Sequence, residues 1–282
     1  MTHKPAQSQP YPGATDQMTP RPRDEMADYT GSGLLAGRRA LITGGDSGIG
    51  RAVAVAFAKQ GADVAIAYLS EDADAERTAE LVRAEGRRCL LMRGDLADEQ
   101  HCNDVVARTI AEFDRIDVLV PHAATQRPVT DFARLDTEQL TRTFQVNVFS
   151  VFWLVRAALP HMPKGGSIVI TGSINGLRGN KTLIDYAASK SAAMNLTLSL
   201  AQHLMDREIR VNCVAPGPVW TPLIPATLGT DAVEGFGEQA PMGRAAEPDE
   251  IAPSYVFFAS NRLSSYYTGE VLAPTGGEIQ AG

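Results

Sequence analysis

A chain of 282 residues, 44% hydrophobic and 21% charged, has the make-up of an ordinary globular protein with enough apolar side chains for one large core. Its 26 Lys and Arg against 33 Asp and Glu leave a formal net charge of −7, which argues against a broad nucleic-acid surface. No apolar run approaches the roughly 20 residues that span a bilayer, and the opening Met1-Thr2-His3-Lys4-Pro5 leads into no secretory signal. The three cysteines and five histidines have neither disulfide-framework nor zinc spacing. The expectation is a cytoplasmic protein with reduced thiols, no metal site, and neither a nucleic-acid nor a membrane partner.

Residues 1–34 are rich in Pro, Gln, Thr and Asp and lack hydrophobic periodicity, so they read as an N-terminal extension, flexible or packed on the body. From Leu35 to the end the chain reads as one domain in which strands and helices alternate. Ala40–Thr43 is a short apolar run, and Ile49–Lys59 follows with Ile49, Val53 and Phe57 on one helical face. Val64–Leu69 reads as a buried strand and Asp72–Glu85 as a charged, exposed helix. Cys89–Met92, Ile116–Val120, Ser167–Thr171 and Ile209–Val214 are further strands separated by helix-length segments. Near-continuous Val/Ile/Leu runs suit parallel strands covered on both faces. Repeated β-α units with right-handed crossovers then predict an α/β fold, a doubly wound parallel sheet.

Between the first strand and first helix lies Thr43-Gly44-Gly45-Asp46-Ser47-Gly48-Ile49-Gly50. Glycines at 44, 48 and 50 remove the Cβ where a tight turn must form and where a pyrophosphate must approach the backbone. The helix that follows offers unpaired N–H groups and a positive dipole end. The spacing Gly44-x3-Gly48-x-Gly50, in place of G-x-G-x-x-G, resembles the short-chain dehydrogenase/reductase family over nearly all of residues 35–282. With the N-terminal extension, the chain further resembles that family's glucose-dehydrogenase-like and general-stress oxidoreductases. The resemblance implies a Rossmann-type fold and a nicotinamide dinucleotide held by this loop, with Asp46, Ser47 and Ile49 beside the glycines.

Tyr186-Ala187-Ala188-Ser189-Lys190 matches the family's Y-x-x-x-K, and four-residue spacing puts both side chains on one helical face. By itself such a pair is an ordinary solvated face. A free tyrosine titrates near pH 10, and an adjacent ammonium favours the phenolate. The resemblance makes Tyr186 the general acid or base and has Lys190 also hold the nicotinamide ribose. It further implies that Ser173 hydrogen-bonds the substrate oxygen and that Asn147, between Val146 and Val148, anchors a proton-relay water. Asp95-Leu96 is expected at the adenine, although a helix-start Asp is the plainer reading. Pro216, Gly217, Val219 and Thr221 are expected to fix the carboxamide.

The chain departs from the family in two places. Pro121-His122-Ala123-Ala124 stands where N-N-A-G is usual; Ala123 and Ala124 still offer backbone to the ribose, but Pro121 lacks an N–H. His122 reads as a polar replacement or a pH-sensitive contact. At the end of the second strand, Tyr68 replaces the acid of NAD-preferring members, so NADP or NAD is allowed, with NADP favoured and Arg51 as a helper. Pro222–Gly243 resembles a mobile substrate lid, and Trp220, Leu223, Ile224 and Leu228 suggest a partly apolar pocket. The expected substrate is a small aldehyde, ketone or sugar, or the matching alcohol, and the resemblance implies a homotetramer. A non-catalytic NAD(P)-binding sensor would have lost Tyr186 or Lys190, and an enoyl reductase would space the pair further apart.

Overall fold

The structure, a computed structural model, describes residues 3–278. Seven strands build it: β1 (Arg39–Thr43), β2 (Asp63–Tyr68), β3 (Cys89–Arg93), β4 (Val118–Val120), β5 (Ser167–Thr171), β6 (Arg210–Val214) and β7 (Val271–Leu272). All pair in parallel, in the order β3-β2-β1-β4-β5-β6-β7. The chain steps outward from β1 to β3, then returns to lay β4 on the other side of β1. That reversal opens a crevice at the carboxyl ends of β1 and β4, the place where such sheets bind ligands.

The helices up to the lid are α1 (Gly48–Lys59), α2 (Asp72–Ala84) and α3 (Glu99–Phe113), then α4 (Thr137–Phe144), α5 (Ser150–Ala158), α6 (Ile174–Arg178) and α7 (Ile184–His203). Two short helices, α8 (Leu223–Thr227) and α9 (Thr230–Val233), precede α10 (Pro248–Ala259) and α11 (Asn261–Ser264). One sheet face is covered by α1 and α10, packed through alanines and Phe57, Tyr255 and Phe258. The other face is covered by α3, α5 and α7, around Phe113, Leu154 and Leu196. Both β5 and β6 are buried along their full length, as the unbroken apolar runs require. The last strand is short, with only Val271 and Leu272 pairing with β6.

Residues 3–34 lie along the body. Met26 and Leu35 enter the core under α1, and Met18 packs with Trp220, Ile224 and Val233. Lys4 is buried, its ammonium 2.9 Å from a Glu247 oxygen and 4.9 Å above the Trp220 ring. The Trp220 indole N–H donates to the Pro20 carbonyl at 2.8 Å. Gln9 N–H donates to Pro225 O and Asp249 N–H to Arg23 O, each at 3.0 Å. A polar arm of this kind is held by main-chain bonds and a few buried side chains, and neither leaves a periodic pattern.

Candidate active site

The carboxyl ends of the strands surround a cleft of about 490 Å³, within the ordinary range for ligand pockets. Gly44, Asp46, Ser47, Gly48 and Ile49 form one wall. Gly44 has φ +66°, and a Cβ there would stand 3.0 Å from the Ala123 backbone. Gly50 does not line the cleft; it lies inside α1, where a Cβ would come within 1.8 Å of the Gly44 carbonyl oxygen. The loop therefore folds back on its own helix only because that position has no side chain. Ser47 makes no side-chain cap, and of the first N–H groups of α1 that of Gly48 is taken by Asp24 of the arm. These features fit a bound dinucleotide diphosphate.

Behind the loop, Arg51 is 2% exposed and is fully occupied. It pairs with Asp24 of the arm and with Asp74, and donates to Thr78 Oγ1 at 3.0 Å and Asp46 O at 3.1 Å. The expectation that Arg51 assists a 2′-phosphate is therefore corrected: its charge serves to bind α1, α2 and the arm together. Asp24 also accepts from Gly48 N–H at 3.0 Å. Burial pushes the carboxyls of Asp24 and Asp46 up to about 6.

Tyr186 and Lys190 stand on α7, and Ser173 is the N-cap of α6, just beyond β5; all three line the same cleft. Ser173 Oγ accepts from Asn175 N–H at 3.1 Å, which leaves its own O–H to donate. Lys190 Nζ donates to Thr171 O at 2.8 Å and lies 5.8 Å from the centre of the Tyr186 ring. The expected acidification of Tyr186 by this ammonium is not what governs here. Burial raises the phenol above its usual range, with Ser173 pulling it partly back, and burial brings Lys190 down to about 8.

Asn147 lies in a π-helical turn, Gln145–Phe149, between α4 and α5. Such turns occur frequently at functional sites. Its carboxamide does not line the cleft. It exchanges two hydrogen bonds with the Thr125 backbone, at 2.8 and 2.9 Å, and donates to Ser189 Oγ at 3.0 Å. Asn147 thus ties the loop after β4 to the helix that carries Tyr186.

The remaining expected positions also gather at the cleft. Ala123 and Ala124, Asp95 and Leu96, Tyr68, and Pro216, Gly217, Val219 and Thr221 all line it. Asp95 is not a helix cap, since Asp98 caps α3; it pairs with Arg142 at 2.7 Å. The Tyr68 hydroxyl donates to Asp72 at 2.8 Å, and the phenol is pushed up to about 12. Pro121 lies just past β4, where its missing N–H costs no ladder bond and its carbonyl accepts from Thr171 N–H at 3.2 Å. His122 bonds Thr171 Oγ1 at 3.1 Å, and burial lowers it to about 3, so it stays neutral at ordinary pH and acts as a polar replacement. In the lid, Leu223, Ile224, Leu228 and Phe236 reach the cleft, whereas Trp220 is wholly buried beneath it. Sequence reasoning missed Gln126, Arg142, Asn175, Asn180 and, from the arm, Tyr11. Gln126 and Asn180 stand on irregular segments and Tyr11 in the arm, where no period marks an inward side chain, whereas Arg142 and Asn175 stand on the short helices α4 and α6.

A parallel sheet of this order, with a glycine cradle and a tyrosine and lysine sharing one cleft, defines an oxidoreductase class. A family model described as Enoyl-(Acyl carrier protein) reductase matches residues 44–278. The chain belongs to the short-chain dehydrogenase/reductase family. It is 48% identical over 276 residues to General stress protein 39 of Bacillus subtilis, covering 98% of this chain and 96% of that protein. It is 44% identical over 274 residues to NADPH-dependent aldehyde reductase 1, chloroplastic, of Arabidopsis thaliana, with 95% of each covered. A short-chain dehydrogenase from Burkholderia cenocepacia, solved in complex with NADP, superposes with a TM-score of 0.80 at 34% identity, over 86% of this chain and 98% of that one.

Proposed function

We propose that the chain is an NAD(P)-dependent enzyme acting on CH–OH groups, interconverting a small aldehyde, ketone or sugar with its alcohol, with Tyr186 as general acid and base. The observation that carries this reading is the meeting of Tyr186, Lys190 and Ser173 in the cleft that the glycine loop walls. A bound nicotinamide supplies the hydride in reduction and accepts it in oxidation. Tyr186 donates its phenolic proton to the substrate oxygen, and Ser173 steadies that oxygen with its O–H. A phenol kept protonated by burial is the form that reduction needs. Lys190, charged below about pH 8, holds the ribose hydroxyls and offsets phenolate charge as it forms. Asn147 positions α7 and a relay water that returns the proton, and the apolar lid side chains keep other water away.

NADP is the favoured cofactor. Tyr68 supplies no carboxylate at the end of β2, and the similar Arabidopsis thaliana aldehyde reductase is NADPH-dependent while the Burkholderia cenocepacia dehydrogenase was solved with NADP. No helix among the described residues is long and apolar enough to cross a membrane, and Cys89, Cys102 and Cys213 are free thiols, which supports a cytoplasmic enzyme. A homotetramer is proposed on the apolar side chains left exposed on α5 and α7.

The test is a panel of aldehydes, ketones and sugars with NADPH and NADH, followed by nicotinamide absorbance. Turnover of at least one carbonyl is expected, with a loss of more than ~100-fold in Tyr186→Phe. Undiminished turnover in that variant removes Tyr186 as the acid. Tighter binding of NADH than of NADPH overturns the cofactor preference.

A further inference from the structure

Tyr11 belongs to the arm, yet its side chain enters the wall of the cleft. Its hydroxyl faces the Thr125 side chain, and Glu71, Asp95 and Arg142 are the charged groups nearest to it. Two flanking anchors fix the segment. Gln9 N–H donates to Pro225 O at 3.0 Å on the lid side, and Thr15 N–H donates to Asp74 at 2.9 Å on the α2 side. Between them Gly13, at φ +99°, lies so close to the lid that a Cβ would stand 2.6 Å from the Pro222 carbonyl oxygen. The arm is thus strapped across the cleft from lid to α2. In that fixed strap Tyr11 as a residue is still 43% exposed. An aromatic side chain fixed in a cleft wall and partly exposed can offer its ring to a bound ligand.

The sheet order says which half of a dinucleotide would pass beneath it. Ser173 follows β5, and Tyr186 stands beside it, so hydride transfer belongs on the β4–β5 side. Asp95 and Glu71 follow β3 and β2, on the opposite side of β1. With the diphosphate at the start of α1 between the two, the adenosine half extends toward Asp95, where Tyr11 stands. We propose that Tyr11 is a cofactor-binding residue delivered by the N-terminal arm, its ring covering the adenosine half of the bound dinucleotide. This rests on the nicotinamide-dependent reading given above. An aromatic face stacks on a purine at little entropic cost when its backbone is already pinned, and such stacking is worth about ten- to a hundredfold in affinity.

The experiment is a fluorescence titration of the full-length protein with NADPH, paired with calorimetric titration of ADP-ribose, which retains the adenosine half. Tyr11→Ala is expected to weaken both ligands by about ten- to a hundredfold, with an unshifted ligand-free melting temperature. Tyr11→Phe keeps the ring and is expected to stay within about threefold of wild type. Tyr11→Leu keeps apolar bulk without a π face, packs the arm if alanine does not, and is expected to bind as weakly as the alanine variant. Wild-type affinity in the Ala or Leu variant overturns the assignment, as does a Phe variant as weak as the Ala one. The cofactor reading is judged separately on the wild type, whose failure to bind either NADPH or NADH would overturn that reading as well.

Discussion

Asp24 and Asp46 are carboxyls held out of water at the glycine loop, and burial raises both from 3.8 to about 6. A carboxyl whose folded pKa lies above its unfolded one binds protons more tightly in the native state, so it adds stability as pH falls and loses it as pH rises through the window. Between about pH 4 and pH 6 each group should therefore lower stability with rising pH, by up to ~1.4 kcal/mol per pH unit in mid-window. Denaturant melts of Asp24→Asn and Asp46→Asn over that range should show a flatter dependence than wild type; parallel curves would mean the two carboxyls are not desolvated. The same force acts on Tyr186 and Lys190. Their helical spacing is legible because i and i+4 share a face, and nearness of an ammonium then suggests an acidic phenol. The depth of burial, which reverses that shift, depends on packing by other elements and leaves no trace in a five-residue motif.

At the scale of elements, the loop between β1 and α1 works only with a bare backbone at Gly50. A Cβ placed 1.8 Å from the Gly44 carbonyl must push the loop off its helix. Gly50→Ala is expected to cost more than ~1–3 kcal/mol of stability, as overpacking does, and to weaken NADPH binding at least tenfold. Thermal melts and NADPH titration check this, and a variant with wild-type values in both would show that the loop relaxes freely. Helices and strands with strong periodicity were readable in advance because their side chains alternate or rotate against one core. The π-helical turn around Asn147 was not, since Gln145–Phe149 has the same apolar rhythm as the helices it joins. Nor was the division of the lid into α8 and α9, where Pro and Gly interrupt any period.

For the whole molecule, the apolar side chains that the fold does not bury point to assembly. Phe149 and Phe152 are 43% and 52% exposed on the π turn and α5, and Leu198 is 41% exposed on α7. Single exposed apolar residues are ordinary, but Phe149 and Phe152, three positions apart along one helical stretch, suit an isologous contact. Phe152→Glu is expected to convert the proposed tetramer into smaller species in light scattering after gel filtration; an unchanged mass would exclude α5 from the interface. The sequence by itself was enough for the parallel α/β architecture, the bare glycine loop and the helical face that Tyr186 and Lys190 share, because each rests on local period or on spacing along one helix or loop; Ser173 was reached only through the family resemblance. Only the tertiary structure decided that Arg51 is spent on Asp24 and Asp74, that Trp220 lies beneath the lid, and that the polar N-terminal arm brings Tyr11 to the cleft. Those outcomes depend on contacts between residues tens to hundreds of positions apart, made by main-chain bonds and single buried side chains, and such contacts have no periodic signature in the chain that forms them.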